Sequence, residues 1–236
     1  MYFGLIFLAI AIALLFAYWV SRGVKDNLPW ARYRDAVATT YPAMKSQFAQ
    51  GATDAQLKTL QANFPHTLPP AFISMLRDTN GGTGRHNSNG IFFGAELMSV
   101  DRILSEQASW QQIIDGGLED FTDPFHAFPP DTIKPVYVDP NWLPFIADGA
   151  GNFIALDYNP GPKGKIGQVI SFGADEIEHL QLAPSYPEFM ELMRGLIKHP
   201  QVKYDAEKPE FALPIYIVDA IKKLHKTIAE EDAGKS

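Results

Sequence analysis

Four short apolar runs separated by turn-forming residues occupy the middle of this 236-residue chain. They lie at residues 136–138, 143–147, 153–156 and 168–172, and glycine, proline, asparagine and aspartate cluster between them. Runs of this length, rich in β-branched and aromatic residues and bounded by such turns, are typical of strands in an antiparallel meander. The fold must therefore be one that buries a sheet.

Helical patterns flank these runs on both sides. Thr53 and Gln56 form a capping box ahead of an apolar face with helical spacing, and Ser185 and Glu188 open a second such helix. The order helices, strands, helices predicts an α+β fold. We place the domain at residues 51–200, followed at residues 201–236 by a charged linker and an amphipathic C-terminal helix.

The first twenty residues contain no charged side chain. A helix of that length spans about 30 Å, the thickness of the hydrocarbon core of a bilayer. No Lys or Arg precedes the apolar run, and Ala17-Tyr18-Trp19 is a poor cleavage site, which favours an uncleaved anchor over a signal peptide. We expect a transmembrane helix at residues 1–20 and a linker or helix at residues 21–50.

Basic residues follow this apolar segment and none precedes it. They are Arg22, Lys25, Arg32 and Arg34. Because basic flanks are retained on the inner side of a membrane, this asymmetry predicts the orientation of a single-pass protein. The bulk of the chain would face the cytoplasm, with a stub of a few residues outside.

The chain carries no recognisable catalytic or metal-binding motif. It has no cysteine, and its six histidines are scattered without an HExxH spacing. Residues 161–165 lack the spacing of a phosphate-binding loop, and Ile166 stands where that loop has Ser or Thr. Asp139, Asp148 and Asp157 occupy turn positions, and the net charge of −7 comes without a basic stripe. We predict a binding protein without catalytic residues, metal, cofactor, small-molecule substrate or nucleic-acid partner.

Carboxylates concentrate between residues 115 and 157. This stretch contains eight carboxylates and a single lysine. The carboxylates are those of Asp115, Glu119, Asp120, Asp123, Asp131, Asp139, Asp148 and Asp157. One interpretation is a solvated loop whose aromatic side chains pack inward. The other is a docking face for a basic protein, because acidic patches steer association and neighbouring aromatics supply hot spots. The candidate partner-binding residues are Glu119, Asp120, Asp123, Asp139, Asp148 and Trp142.

Three stretches, in order, resemble motifs of the SUKH superfamily, which includes bacterial relatives of the yeast Smi/Knr cell-wall regulators. The first comprises residues 68–72 and Asn80-Gly81-Gly82, and the second residues 98–104. The third and most specific spans residues 142–170 and is similar to the pattern W-l-P-f…G-n…l-D…p-g-x-x-G-x-x-G-q-v. The resemblance covers residues 53–197.

The resemblance implies an α+β fold with a central, mostly antiparallel sheet flanked by helices. In bacteria it implies an immunity protein that occludes a cognate toxin, often a nuclease, without catalysis. With the apolar segment, it predicts an immunity protein anchored in the bacterial inner membrane that binds a basic toxin. The alternative is a membrane-tethered scaffold or regulator of cell-envelope synthesis.

The same resemblance suggests roles for the residues that carry the third motif. Trp142 and Pro144 are expected to pack, Gly151 and Gly164 to permit turns, and Asp157 to cap a turn. These residues are therefore expected to be structural, and the partner-binding surface is expected to lie elsewhere, apart from Trp142, which also belongs to the candidate docking face.

Overall fold

A six-stranded sheet forms the centre of this computed structural model, which describes residues 29–82, 91–117, 125–207, 210–212, 217–219 and 221–222. The helices are α1 (Pro29–Thr40), α2 (Asp54–Asn63), α3 (Pro70–Asp78), α4 (Val100–Asp115) and α5 (Tyr186–Leu196), with a 3-10 helix at Pro42–Gln47. The strands are β1 (Glu96–Leu97), β2 (His126–Phe128), β3 (Trp142–Ala147), β4 (Asn152–Asp157), β5 (Gln168–Gly173), β6 (Glu176–Ala183), β7 (Lys203–Asp205) and β8 (Glu210–Ala212). These elements confirm the α+β class.

The order of strands in the sheet is β1-β3-β4-β5-β6-β2. Strands β3 to β6 follow one another as antiparallel neighbours, and β1 adds antiparallel to β3. At the other edge, β2 pairs in parallel with β6, so the sheet is mixed and is more than the predicted meander. Strands β7 and β8 form a separate two-stranded antiparallel ladder within the predicted charged linker.

One predicted strand and one further apolar run do not form strands. Residues 136–138 have irregular backbone, and residues 91–93 contribute only an isolated bridge between Phe92 and Ala95. Phe93 has a φ of +55°, which is incompatible with a continuing strand. In both places the apolar side chains are wholly or partly buried by loop packing. A high β propensity reflects side-chain burial as much as strand pairing, so it does not distinguish these loops from strands.

Helices cover both faces of the sheet. Phe145 on β3 packs edge-on against Phe72 of α3 and Phe189 of α5. On the opposite face, Trp110 of α4 packs edge-on against Phe172 of β5, with ring centroids 5.1 Å apart. Because neither face is open to water, strands β3 to β5 are buried along their whole length and do not alternate between buried and exposed residues.

Helix α1 belongs to the same hydrophobic core. Its side chains Trp30, Tyr33 and Val37 are buried in the core cluster. The indole Nε1 of Trp30 donates to Asp78 Oδ2 at the end of α3, at 2.7 Å. The core therefore extends N-terminal to the predicted start of the domain at residue 51.

The predicted anchor and most of the predicted C-terminal helix lie outside the described residues. The predicted membrane segment at residues 1–20, with Arg22 and Lys25, lies outside the described residues. Within the part that is described, no helix is both long enough and apolar enough to cross a membrane. The predicted C-terminal helix is described only at residues 217–219 and 221–222, which are helical.

Candidate functional site

The carboxylate of Asp157, at the end of β4, is fully buried and lies at the centre of a polar network. Its Oδ1 accepts from the indole Nε1 of Trp142 at 3.0 Å and from the backbone N–H of Asn159 at 2.9 Å. Its Oδ2 accepts from Gln168 Nε2 at 2.8 Å. Burial raises the pKa of Asp157, and these three donors act in the opposite direction. The donors compensate for the loss of water around the carboxylate.

Gln168 connects this carboxylate to two loops. Its Nε2 also donates to the backbone carbonyl of Thr132 at 2.8 Å. Its Oε1 accepts from the backbone N–H of Lys165 at 3.0 Å and from Gln181 Nε2 at 2.6 Å. The buried side-chain amide of Gln168 thereby hydrogen-bonds both the segment before β3 and the loop before β5 to the sheet.

A second branch of the network runs towards α2. Asp139 accepts from the backbone and side chain of Asn141 at 2.8 and 2.7 Å, and from Asn159 Nδ2 at 2.7 Å. The side-chain oxygen of Asn141 lies 2.7 Å from His66 Nε2, and the His66 ring stacks on Tyr158 at 4.9 Å. The branch reaches from the interior to the partly exposed surface beside α2.

The remaining motif residues sit where the backbone is constrained. Gly151 has a φ of +101°, a conformation that favours glycine. A Cβ at Gly164 would lie 2.0 Å from the Thr132 carbonyl oxygen, so no side chain fits there. Pro144 lies beside a register shift between β3 and β4. Proline has no N–H to donate, and irregular pairing tolerates that.

The opposite end of the sheet carries an acidic turn. Asp148 accepts from the backbone and side chain of Asn152 at 3.0 and 2.7 Å, and Asn152 accepts from the backbone of Asp175 at 3.0 Å. Burial raises the pKa of Glu176, and repulsion from Asp219 adds to it. Within the described ranges, no group of three or more His, Cys, Asp or Glu could hold a metal ion.

Among the described residues, the docking candidates Asp139, Trp142 and Asp148 do not form one exposed surface. Glu119, Asp120 and Asp123 lie outside the described residues. Trp142 is 0% exposed and Asp139 is 7% exposed, and both use their polar atoms inside the network. Asp148 is half-buried at the other end of β3. The acidic docking face stays a prediction, with Trp142 and Asp139 as part of the interior.

A groove of about 490 Å³ lies beside the His66 branch of the network. Its walls come from α2, α4 and the loop before β3, and they include Asn63, Gln107, Gln111, Asn141, Pro65 and Pro140. The side-chain oxygen of Gln107 is buried and has no hydrogen-bond partner among the described residues. Amide and proline side chains bind through hydrogen bonds and contact, and they do not transfer protons at neutral pH. This groove is equipped to bind.

His179 on β6 is a buried polar residue that the sequence did not single out. It is 1% exposed, and in the described part of the chain neither ring nitrogen has a hydrogen-bond partner in good geometry. Its ring stacks on Phe125 at 5.3 Å and meets Trp142 edge-on at 5.5 Å. The pKa of His179 is lowered to about 4, chiefly by burial and secondly by repulsion from His126, while the Lys134 carbonyl acts against both.

Sequence reasoning also missed Gln168 and Asn141 as members of the network. Gln168 opens an apolar strand and resembled a strand boundary, although a polar residue beside a run that is buried on both faces needs a partner. Asn141 follows a proline and resembled an ordinary turn residue. The only available signal was the high density of Asp, Asn and Gln around buried strands.

Three fungal relatives show what this chain is similar to. The cell wall biosynthesis/cell cycle regulator smi1 of Schizosaccharomyces pombe is 30% identical over 70% of this chain and 34% of its own length. The cell wall assembly regulator SMI1 of Saccharomyces cerevisiae is 28% identical over 56% of this chain and 31% of its own length. The glucan synthesis regulatory protein of Neurospora crassa is 24% identical over 70% of this chain and 37% of its own length. The chain thus matches about a third of each relative.

These relatives correct three expectations drawn from the sequence. They are fungal proteins whose names describe cell-wall regulation, so the predicted toxin-immunity function and the bacterial assignment are wrong. The predicted single-pass location in a bacterial inner membrane is wrong on the same ground, and no described helix could span a membrane.

The family assignment rests on the part of the chain that contains the sheet and the polar network. The model of the SMI1 / KNR4 family (SUKH-1) matches residues 51–192, more than half of the chain. That range includes Trp142, Pro144, Gly151, Asp157 and Gly164, the residues that carry the resemblance to the superfamily motif. The chain therefore belongs to the SMI1 / KNR4 family (SUKH-1).

Proposed function

We propose that this chain is a non-catalytic binding domain that regulates cell-wall synthesis. The observation that carries the proposal is the similarity, over 70% of the chain, to proteins named as regulators of cell-wall biosynthesis and of glucan synthesis. The chain covers about a third of those relatives, so the proposal concerns the family domain.

The geometry of the site supports binding over catalysis. The buried carboxylate Asp157 is held by three donors inside the sheet, where no substrate reaches it. The groove nearby presents amide and proline side chains. A regulator that acts by binding needs a fixed surface shape, and a buried network that locks loops onto a sheet provides one.

The test is a deletion of the gene in the organism that encodes it. We expect cells without the protein to become more sensitive to a wall-digesting glucanase and to contain altered amounts of wall glucan. Expression of the full chain should restore both properties. Unchanged glucan content and unchanged glucanase sensitivity in the deleted strain would overturn the proposal.

A second arm addresses catalysis. Replacement of Asp139 by Asn keeps the size of the side chain and removes the titratable carboxylate next to the groove. A regulator that acts by binding should retain wall function after this replacement if the variant is folded. Loss of wall function in a variant with an unchanged unfolding midpoint would indicate that the carboxylate has a chemical role.

A further inference from the structure

The loop between β4 and β5 exposes a large apolar side chain. Ile166 is 75% exposed, and among the described residues Ile177 is the other exposed large apolar side chain, at 53%. Ile166 lies in the loop at residues 161–167, which belongs to the family motif, and Ile177 lies near the start of β6 at the opposite end of the sheet. A single exposed isoleucine is common on protein surfaces, so a role for Ile166 in binding has to follow from the structure of the loop around it.

This loop is rigidly held by backbone hydrogen bonds. The N–H of Gly161 donates to the Thr132 carbonyl at 3.1 Å, and the N–H of Lys163 donates to the Asp131 carbonyl at 2.9 Å. The N–H of Gly167 donates to the Asp157 carbonyl at 2.7 Å. Together with the bond from Lys165 to Gln168, these contacts fix the loop along its whole length. The backbone therefore holds residue 166 in one place, and little entropy is lost in ordering the loop when a partner binds.

The turn does not require isoleucine at position 166. The N–H of Gln168 donates to the Lys165 carbonyl at 3.0 Å, and Gly167 between them has a φ of +80°. This hydrogen bond and this glycine are those of a type II turn, in which Ile166 is the first central residue. That position favours proline and needs no apolar packing. Folding thus accounts for Gly167 but does not account for Ile166.

Basic side chains border Ile166. Lys163 and Lys165 are exposed, and residues 161–167 contain no acidic residue, although the whole chain has a net charge of −7. Lys163 pairs with Asp131 at 3.0 Å. Lys165 forms no ion pair with any residue that the structure describes. The tip of the loop is therefore an apolar side chain next to a free positive charge.

We propose that residues 161–167 form a docking loop, in which Ile166 enters an apolar pocket on a partner protein with an acidic rim facing Lys165. The proposal rests on the proposed function and adds the surface that carries it. A protein partner fits better than an anionic membrane, because one isoleucine and two lysines bind a bilayer weakly and the acidic remainder of the chain is repelled by it. The buried Asp157–Gln168 network then has a functional consequence, since it fixes the shape of this loop.

The first experiment locates the contact in cells. A diazirine-bearing leucine analogue is placed at position 166 in one version of the full chain and at position 177 in another. After illumination, we expect a discrete adduct from position 166 that position 177 does not give, and the cross-linked peptide should contain both acidic and apolar residues. No adduct specific to position 166, or an adduct peptide without carboxylates, overturns the proposal.

The second experiment measures binding to the purified partner protein that the cross-link identifies. Ile166→Asp should weaken binding by about 10- to 100-fold, the loss expected for one buried isoleucine, and the matched variant Ile177→Asp should leave it unchanged. Lys165→Glu should slow association at low salt and have less effect at high salt. Ile166 is exposed in a loop, so Ile166→Asp should share the unfolding midpoint of the wild type. Equal binding by Ile166→Asp and wild type overturns the proposal.

Two further arms separate the alternatives. Cosedimentation with phosphatidylserine vesicles that is lost in Ile166→Asp would assign the loop to a membrane and overturn the protein-docking proposal. In a strain where deletion of the gene weakens the wall, Ile166→Asp should fail to restore it and Ile177→Asp should restore it. A normal wall in the deleted strain refutes the proposed function instead, while a fully restoring Ile166→Asp refutes only the docking loop.

Discussion

The buried His179 should make the stability of this protein sensitive to mild acid. In the folded state burial is the main cause that lowers its pKa to about 4, from the ordinary histidine value of 6.5. Above pH 6.5 the ring is neutral in both the folded and the unfolded chain, so its contribution to stability is fully present. As the pH falls from 6.5 towards 4, the unfolded chain takes up the proton and the folded chain does not. The contribution is therefore lost over that window.

The size of this loss follows from the two pKa values. A pKa difference of one unit corresponds to about 1.4 kcal/mol, so the interval between 6.5 and about 4 amounts to about 3 kcal/mol of the free energy of unfolding. Asp157 and Glu176 act in the opposite direction, because their folded pKa values are raised and the folded state binds their protons more readily as the pH falls. A single pH profile would mix these effects.

The replacement His179→Leu isolates the histidine, since it fills a similar volume with a side chain that does not titrate. Urea unfolding is followed at several pH values between 7.5 and 4 by tryptophan fluorescence, to which Trp142 beside His179 contributes. We expect the free energy of unfolding of the variant, minus that of the wild type, to rise by about 3 kcal/mol over this range. The carboxylates are common to both proteins and cancel in the difference.

A control tests the influence of the second histidine. Burial is the main cause of the lowered pKa of His179, and His126 is the second cause. The ring of His126 is exposed. His126→Gln should therefore shrink the pH effect only slightly. A difference between His179→Leu and wild type that stays flat from pH 7.5 to 4, or an NMR titration that places the His179 pKa near 6.5, would refute the reasoning.

Two further changes test the polar network and the loop that it holds. Asp157→Ala removes the acceptor of buried donors and should lower the free energy of unfolding by about 3 kcal/mol in urea titrations, whereas Asp35→Ala on the exposed face of α1 should change it by less than about 0.5 kcal/mol. Gly164→Ala should lower the thermal midpoint sharply, because its Cβ would lie 2.0 Å from the Thr132 carbonyl oxygen. Gly195→Ala, in α5 with nothing within 4 Å, should raise the midpoint, and equal midpoints for the two alanine variants would contradict the geometry.

Local signals in the sequence predicted the elements whose cause is local. The capping box of Thr53 and Gln56 is present with both of its hydrogen bonds, and the runs at 143–147, 153–156 and 168–172 are strands. The parallel pairing of β2 with β6 joins residues about fifty positions apart and depends on how the intervening chain folds. No periodicity within a short window contains that information.

The functional interpretation was misled for a different physical reason. The recognisable motif consists of residues such as Trp142 and Asp157 that are buried in the sheet, so it identifies the fold and carries no information about the partner. Partner choice depends on exposed side chains such as Ile166, which no packing requirement constrains. The acidic stretch was chosen for its charge and its neighbouring aromatic side chains, and Asp139 within it is occupied by the interior network.

The backbone oxygen of Thr132 has a consequence for how related sequences should vary. It accepts bonds from Gly161 and Gln168, and it lies where a side chain on residue 164 would be. A carbonyl is supplied by every amino acid, so position 132 can change identity while the positions that converge on it cannot. Among relatives, we expect glycine at 161 and 164 and glutamine at 168 to be retained together. The residue type at position 132 is expected to vary. A scan that replaces side chains would therefore find residue 132 tolerant of substitution, although its backbone carbonyl accepts the hydrogen bonds of Gly161 and Gln168.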